Sequence, residues 1–270
     1  MALIFTDERD FELLRKAGKL AGEILEELGK TAAPGMSTWD LDHIAETRIR
    51  DAGAVPTFKG YREFPASVCI SINEEVVHGI PDKARILKDG DVLSLDLGVT
   101  FQRQDNGRQL DLIADTAITI AVGAVSARVQ QLLKDTQNAL YAGIFASRAG
   151  SSLNDVGGAV EDVGNHGQYG IVREYGGHGI GYILHEQPFI YNYRTPTGGK
   201  TKLEPGMVIA IEPMFNLGGD RVRTKKDGWT VVTQDYKPSA HFEHSILITE
   251  ERAEILTKRP NEEVGWPSKA

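Results

Sequence analysis

The sequence predicts an α+β fold made of two similar halves, each a pair of helices followed by strands. Two observations carry this expectation. The helix-starting signal Ser37 to Asp40 recurs as Ser152 to Asp155, and Gly35 recurs as Gly150, all 115 residues apart. The strand-like run GDVLSLD (90–96) recurs as GMVIAIE (206–212), 116 residues on, and DTAITI (115–120) resembles EHSILI (243–248) at an offset of 128. Three matches in the same chain order point to an internal repeat with halves at about 1–122 and 123–250.

The elements follow in order. Residues 7–28 carry Phe11, Leu14, Ala17, Ala21, Ile24 and Leu28 at spacings of three and four, the period of an amphipathic helix. Thr6 or Asp7 caps its start and Gly29 marks its end. A second helix begins with the Ser37–Asp40 capping box, carries Leu41, Ile44 and Ala45, and stops near Gly53. Alternating strands are expected from about Ser67 to Thr119. Ser126 then caps a long helix with Val129, Leu132, Leu133, Leu140 and Ile144, ended by Gly150. The Ser152–Asp155 box opens another with Val156, Val160 and Val163. The polar stretch KRPNEEVGWPSKA (258–270) reads as a frayed tail.

Composition excludes several function classes. The chain has 270 residues, 41% of them hydrophobic, enough for one large domain or two small ones. A net charge of −8 argues against a nucleic-acid or anionic-membrane partner, and RVRTKKDG (221–228) reads as a solvated turn. A single cysteine, Cys69, excludes an intramolecular disulfide and points to the reducing cytoplasm. DERD within the first ten residues breaks any signal peptide, and no apolar run is long enough to span a bilayer.

Chemistry concentrates in four apolar strands that each hold a carboxylate: Asp96, Asp115, Glu212 and Glu243, with no Lys or Arg in the same runs. Alternation places Ser94 and Asp96 on one face and Leu93, Leu95 and Leu97 on the other. Glu212 opposes Ile209 and Ile211, and Asp115 opposes Ile118 and Ile120. Taken singly, such an acid is ordinarily a strand-end or turn residue. Four related by a repeat imply a shared central site. Buried carboxylates cost several kcal/mol each unless a positive charge pairs with them, and a divalent cation supplies that charge. His178, in GGHGIG (176–181), adds an imidazole and shifts the preference from Mg or Ca towards Mn, Fe, Co or Zn. Its bland alternative is a turn histidine among glycines. Two such ions activate water, so hydrolysis of an amide or ester is the expected reaction.

The segments CISINEEVVHGIPD (69–82), GDVLSLDLG (90–98), ADTAITIAVG (114–123), GGHGIGYILHEQP (176–188), IEPMF (211–215) and DGWTVVTQDYKPSAHFEHSILIT (227–249) together resemble methionine aminopeptidase of type I, over about residues 5–258. The resemblance implies the pita-bread fold, with a central curved antiparallel sheet and outer helices, as a single catalytic domain over 1–258. It implies two divalent metal ions: Asp96 binds one with both oxygens, Asp115 and Glu243 bridge, and His178 and Glu212 complete the second. It makes Glu212 the general base as well. His78 positions the substrate and assists protonation of the leaving group, and His185 stabilises the oxyanion. Tyr61, Phe64, Cys69 and Trp229 match the wall of the methionine pocket. The implied activity is removal of the initiator methionine from nascent proteins whose second residue is small, by a cytoplasmic monomer near the ribosome.

There are departures from the family pattern. QRQDNGRQLDLI (102–113) lengthens a hairpin and makes Asp111 a rival to Asp115, though the DTAIT context favours Asp115. Leu184 stands where an aromatic is common, which implies a roomier pocket. His241 stands where Gln is frequent. An X-Pro peptidase of the same fold and a metal-free binding relative are the competing readings. The first normally carries an additional N-terminal domain, and the second has lost its ligands.

Overall fold

The computed structural model describes residues 3–264. Its helices are α1 (Glu8–Thr31), α2 (Thr38–Asp51), α3 (Ala127–Ala146) and α4 (Leu153–Gly167). Asp7 is the cap of α1 and accepts from the Arg9 amide, with Glu8 and Asp10 in the first turn where the helix dipole favours negative charge. The expected stop at Gly29 is not used, and α1 runs on to Thr31. A glycine costs only about 1 kcal/mol inside a helix. Here it also makes room, because a Cβ at 29 would meet Ile118 Cδ1 at 3.0 Å.

Both capping boxes form as their spacing predicts, Ser37 with Asp40 and Ser152 with Asp155. The repeat extends to finer detail. Gly35 and Gly150 take φ of 94° and 83°, and Ser37 and Ser152 make matching isolated bridges to Ile86 and Lys202.

A nine-stranded sheet draws on both halves: β1 (Val55–Pro56), β2 (Val68–Ile72), β3 (Asp91–Asp105), β4 (Arg108–Val122), β5 (Gly177–Gly179), β6 (Glu186–Ile190), β7 (Val208–Ile211), β8 (Glu243–Ile248) and β9 (Ala253–Ile255). The main path is β1-β3-β4-β8-β7-β5-β6, with β2 on β3 and β9 on β8, and the pairings are antiparallel. The sequence repeat relates β3 to β7 and β4 to β8. The halves therefore join where β4 meets β8, with Glu243 in register with Ala117. The long β3–β4 hairpin closes on Asn106 and Gly107, both at positive φ (48° and 77°), the two-residue turn that Asp-Asn-Gly predicts.

One face of the sheet is packed. Leu93, Leu95 and Leu97 of β3 and Ile209 and Ile211 of β7 share a continuous core with Ile24, Leu25 and Leu28 of α1 and Leu132, Leu140 and Ile144 of α3. Each such side chain stabilises the fold by roughly 1.5–3 kcal/mol. With the helices committed to that face, the opposite face is left to form a cleft.

The tail expected from 258 onwards does not fray at its start. Arg259 Nη2 pairs with Glu262 Oε1 at 2.5 Å, their side chains only 6% and 5% exposed. Glu262 also lies 3.2 Å from His244 Nε2 and accepts from the Tyr141 hydroxyl. Arg259 is three residues from Glu262, but Tyr141 and His244 are distant in sequence, so polarity alone could not reveal the cluster. Residues 265–270 of the expected tail lie outside the described residues. Among the described residues, no helix is long and apolar enough to cross a membrane.

Candidate metal centre

Five adjacent strands each contribute one donor. In sheet order β3-β4-β8-β7-β5 these are Asp96, Asp115, Glu243 at the first residue of its strand, Glu212 just after Ile211, and His178. Alternation that buries the leucines and isoleucines under the helices turns these groups into the cleft. One oxygen each of Asp115 and Glu243 and one ring nitrogen of His178 lie within 4.8 Å of one another. His178 Nε2 is 3.6 Å from Asp115 Oδ2 and 3.6 Å from Glu212 Oε1. His178 Nδ1 is 2.9 Å from the Gly179 carbonyl and donates to it, so Nε2 presents its lone pair to the carboxylates.

Burial holds Asp96, Glu212 and Glu243 well above the usual carboxylate range, reinforced by their acidic neighbours. Burial lifts Asp115 to about 6, even though Ser245 Oγ lies 3.0 Å from Asp115 Oδ1. Asp96 Oδ1 is buried without a hydrogen-bond partner. Among the described residues, no Lys or Arg pairs with any of the four acids; their ion-pair neighbours are His178 and His241. Converging carboxylates, one lone-pair imidazole and no internal cation together fit a divalent metal with mixed oxygen and nitrogen preference.

The donors line a cavity of about 450 Å³ that also takes in Tyr61, Phe64, Cys69, His78, His185 and Trp229. All eleven site residues expected from the sequence therefore meet in one place. Phe64 packs edge-on against Trp229 with ring centroids 5.1 Å apart, and Trp229 meets the His78 ring at 6.1 Å. His78 has φ of 60°, a left-handed conformation uncommon outside glycine. Gly79 follows it in close quarters: its amide is 3.1 Å from Ser71 Oγ, and a Cβ there would lie 2.1 Å from Ile70 O. On the other wall Tyr61 Oη is 2.8 Å from His185 Nδ1, and the His185 ring lies 4.5 Å from that of His178. Burial lowers both His78 and His185 to about 4, so both imidazoles are neutral near pH 7. Burial and the Asp96 charge push the Cys69 thiol up, which makes it a wall group rather than a nucleophile. Leu184, where a wider pocket was expected, is 3% exposed and lines the same cavity.

Register separates Asp111 from Asp115. Asp111 pairs with Gln102 far along the hairpin and accepts from its amide at 2.9 Å, exposed to solvent. Asp115 pairs with Gly98, is 3% exposed and faces the cavity. Sequence reasoning gave no site role to several lining residues, among them Tyr175 and His241. For His241 a signal existed, because two residues before Glu243 is the same face of an extended chain.

Comparison with known proteins agrees with this geometry. The description "Metallopeptidase family M24" matches residues 12–250. Methionine aminopeptidase 1 of Bacillus subtilis is 45% identical, covering 95% of this chain and 99% of its own. The methionine aminopeptidase of Clostridium acetobutylicum is 44% identical, covering 94% and 98%. The crystal structure of methionine aminopeptidase from Thermotoga maritima superposes with a TM-score of 0.89 at 40% identity, covering 96% of this chain and all of that one. The chain belongs to metallopeptidase family M24, among its methionine aminopeptidases, and has their pita-bread fold.

Proposed function

We propose that the protein hydrolyses the peptide bond after an N-terminal methionine when the second residue is small. The observation that carries this reading is the placement of five donors from five neighbouring strands beside a half-apolar side-chain pocket. Asp96, Asp115, His178, Glu212 and Glu243 are the residues that would hold two divalent ions of the Mn, Fe, Co or Zn type. Asp96 would hold one ion, Asp115 and Glu243 would be common to both, and His178 and Glu212 would hold the other. Ions bound there supply Lewis acidity and make water nucleophilic near neutral pH.

The chain's own groups do the rest. Methionine enters between Tyr61, Phe64, Cys69 and Trp229, whose rings and thiol suit a thioether. Glu212 accepts the proton of the attacking water, as a carboxylate that lines the cavity beside the other donors. His185 is neutral and its Nδ1 is 2.8 Å from the Tyr61 hydroxyl; with that hydroxyl donating, Nε2–H is free to donate to the developing oxyanion. His78, held in the cleft by its backbone, orients the substrate and helps pass a proton to the leaving amine. We assign these roles to a single catalytic domain over 1–258, acting as a cytoplasmic monomer on nascent chains near the ribosome.

Metal-free protein supplied with Mn or Co should cleave Met-Ala-Ser and leave peptides with a bulky second residue intact. Cleavage of Xaa-Pro peptides instead would reassign it as an X-Pro peptidase. No bound metal and no cleavage would reassign it as a binding protein.

A further inference from the structure

We propose that His241 is a positioning residue for Glu212: its Nε2–H donates to Glu212 Oε2 and fixes the rotation of that carboxylate. The proposal rests on the reading of Glu212 as proton acceptor and adds the group that aims it.

His241 is 2% exposed, and its Nε2 has no hydrogen-bond partner. A buried polar atom left unpaired costs about 1–3 kcal/mol, so its neighbourhood should show what it serves. Glu212 Oε2 is 3.6 Å away. That is beyond hydrogen-bond length, and a small rotation of either side chain closes it. Contacts of this kind are often long before substrate is bound.

The backbone of His241 is clamped. The Thr119 hydroxyl donates to His241 O at 2.7 Å and accepts from His241 N at 2.7 Å, and Ser94 Oγ lies 2.8 Å from Thr119 Oγ1. Ser94 and Thr119 sit on β3 and β4, the strands that carry Asp96 and Asp115. The strands that place two of the metal-holding acids thus also place His241. The main chain of Glu212 is held independently, its carbonyl accepting from Asn192 Nδ2 at 3.0 Å. Only the carboxylate is left to be oriented.

Two imidazoles bracket that carboxylate at equal distance but with different chemistry. His178 Nε2 is 3.6 Å from Oε1 and presents a lone pair, because its Nδ1–H is given to Gly179. With no proton to give from Nε2, it would meet Glu212 only through a cation held between them. The nitrogen of His241 that faces Glu212 is Nε2, and an imidazole N–H there has that carboxylate oxygen as its acceptor. His241 stands outside the donor cluster of Asp115, His178 and Glu243, and Glu212 is the acid it approaches. The two oxygens of Glu212 thereby receive separate tasks, Oε1 on the metal side and Oε2 on the hydrogen-bond side.

The test compares wild type, His241→Leu and His241→Gln. Wild-type turnover of Met-Ala-Ser is the control for the parent reading: if it is absent while Mn binds, that reading fails, and the tautomer measurement below still judges the His241 contact. With turnover present, His241→Leu should lower kcat by about ten- to a hundredfold, the usual effect of removing a hydrogen bond behind a metal ligand. KM and calorimetric Mn affinity should stay within a few-fold. His241→Gln, whose amide can donate from a similar place, should recover most of kcat. Nitrogen-15 spectra of metal-free or Zn-loaded protein should show His241 protonated at Nε2. Wild-type kcat in His241→Leu, failure of Gln to recover it, loss of Mn stoichiometry in the Leu variant, or an Nδ1–H tautomer would each overturn the proposal.

Discussion

Glu243 and His244 are neighbours in β8, yet alternation sends them to opposite faces of the sheet and into opposite kinds of buried polar cluster. Glu243 joins three other acids with no Lys or Arg, and burial followed by the charge of Asp115 holds its carboxyl well above the usual range. His244 joins Glu262, Arg259, Tyr141 and Thr257. There burial works against the Glu262 charge, but contacts from His244, Arg259 and Tyr141 hold its carboxyl well below the usual range. Where the chain supplies its own cation, the cluster ties down the C-terminal segment. Where it withholds one, the acids remain costly to ionise until a cation arrives from outside. The two sides of one strand thus separate structure from chemistry.

The largest effect should come from attacking the withheld side. Glu212→Ala removes a carboxylate that serves the metal and the proton together. It should lower kcat/KM by about 10²–10⁴-fold, the range for loss of a general base, and reduce bound Mn per chain. Full metal occupancy with full turnover would break the comparison. On the self-sufficient side, Arg259→Ala takes the guanidinium from buried Glu262 and leaves it only Tyr141 and His244, which should cost about 3 kcal/mol of stability in denaturant unfolding, the low end for breaking a buried pair. Mn affinity and kcat at a temperature where the variant is folded should stay near wild type. A variant of unchanged stability would show that the pair is ornamental.

How legible each side was in the sequence follows from the physics. The acids of the centre stand in apolar strands where period-two alternation fixes their face, and the repeat identifies equivalent strands. Asp96, Asp115, Glu212 and Glu243 could therefore be read directly. The helices behind them were legible from the Ser-to-Asp boxes, which depend on spacing alone. Gly29 misled because a glycine that makes room for Ile118 looks, in sequence, like one that ends a helix. Arg259 and Glu262 misled because their partners His244 and Tyr141 are fixed only by tertiary contact. His241 fell between these cases: its face was readable, but its value depends on a distance to Glu212 that no local pattern encodes.

Next in size is His185→Ala, which should keep metal stoichiometry and lower kcat by about 10²–10³-fold, as for loss of an oxyanion donor. An unchanged rate would remove His185 from the mechanism. The withheld countercharge should also appear as a pH effect on metal-free protein. A carboxyl raised in the fold stabilises it most below its unfolded value and loses that contribution as pH rises through the folded value. Asp115 does so around 6, and Asp96, Glu212 and Glu243 follow above their usual range. His78, His178 and His185, lowered to about 4, act in the opposite sense but only between there and their unfolded value of 6.5. Above about pH 6.5 the histidine contribution is constant, and any further change comes from the raised carboxyls, whose ionisation lowers stability. The melting temperature in EDTA should therefore fall from there upwards, and Mn should flatten the curve. A metal-free melting temperature that rises with pH over that range would contradict the account of the site.

The smallest effect sharpens the comparison within a single strand. Asp111 and Asp115 lie on the same face of β4, four residues apart, and both are carboxylates beside apolar neighbours. Their surroundings differ. Asp111 is met by the Gln102 amide at the solvent-exposed part of the hairpin, so Asp111→Asn exchanges one hydrogen-bonding group for another. It should change stability by less than about 0.5 kcal/mol and leave Mn affinity untouched. Asp115→Asn removes one of the three groups whose donor atoms already lie together and should weaken Mn binding measurably in the same titration. If both substitutions weakened Mn equally, sequence position on the strand rather than burial in the cleft would define a ligand, and the register of the β3–β4 hairpin would have to be shifted to explain it.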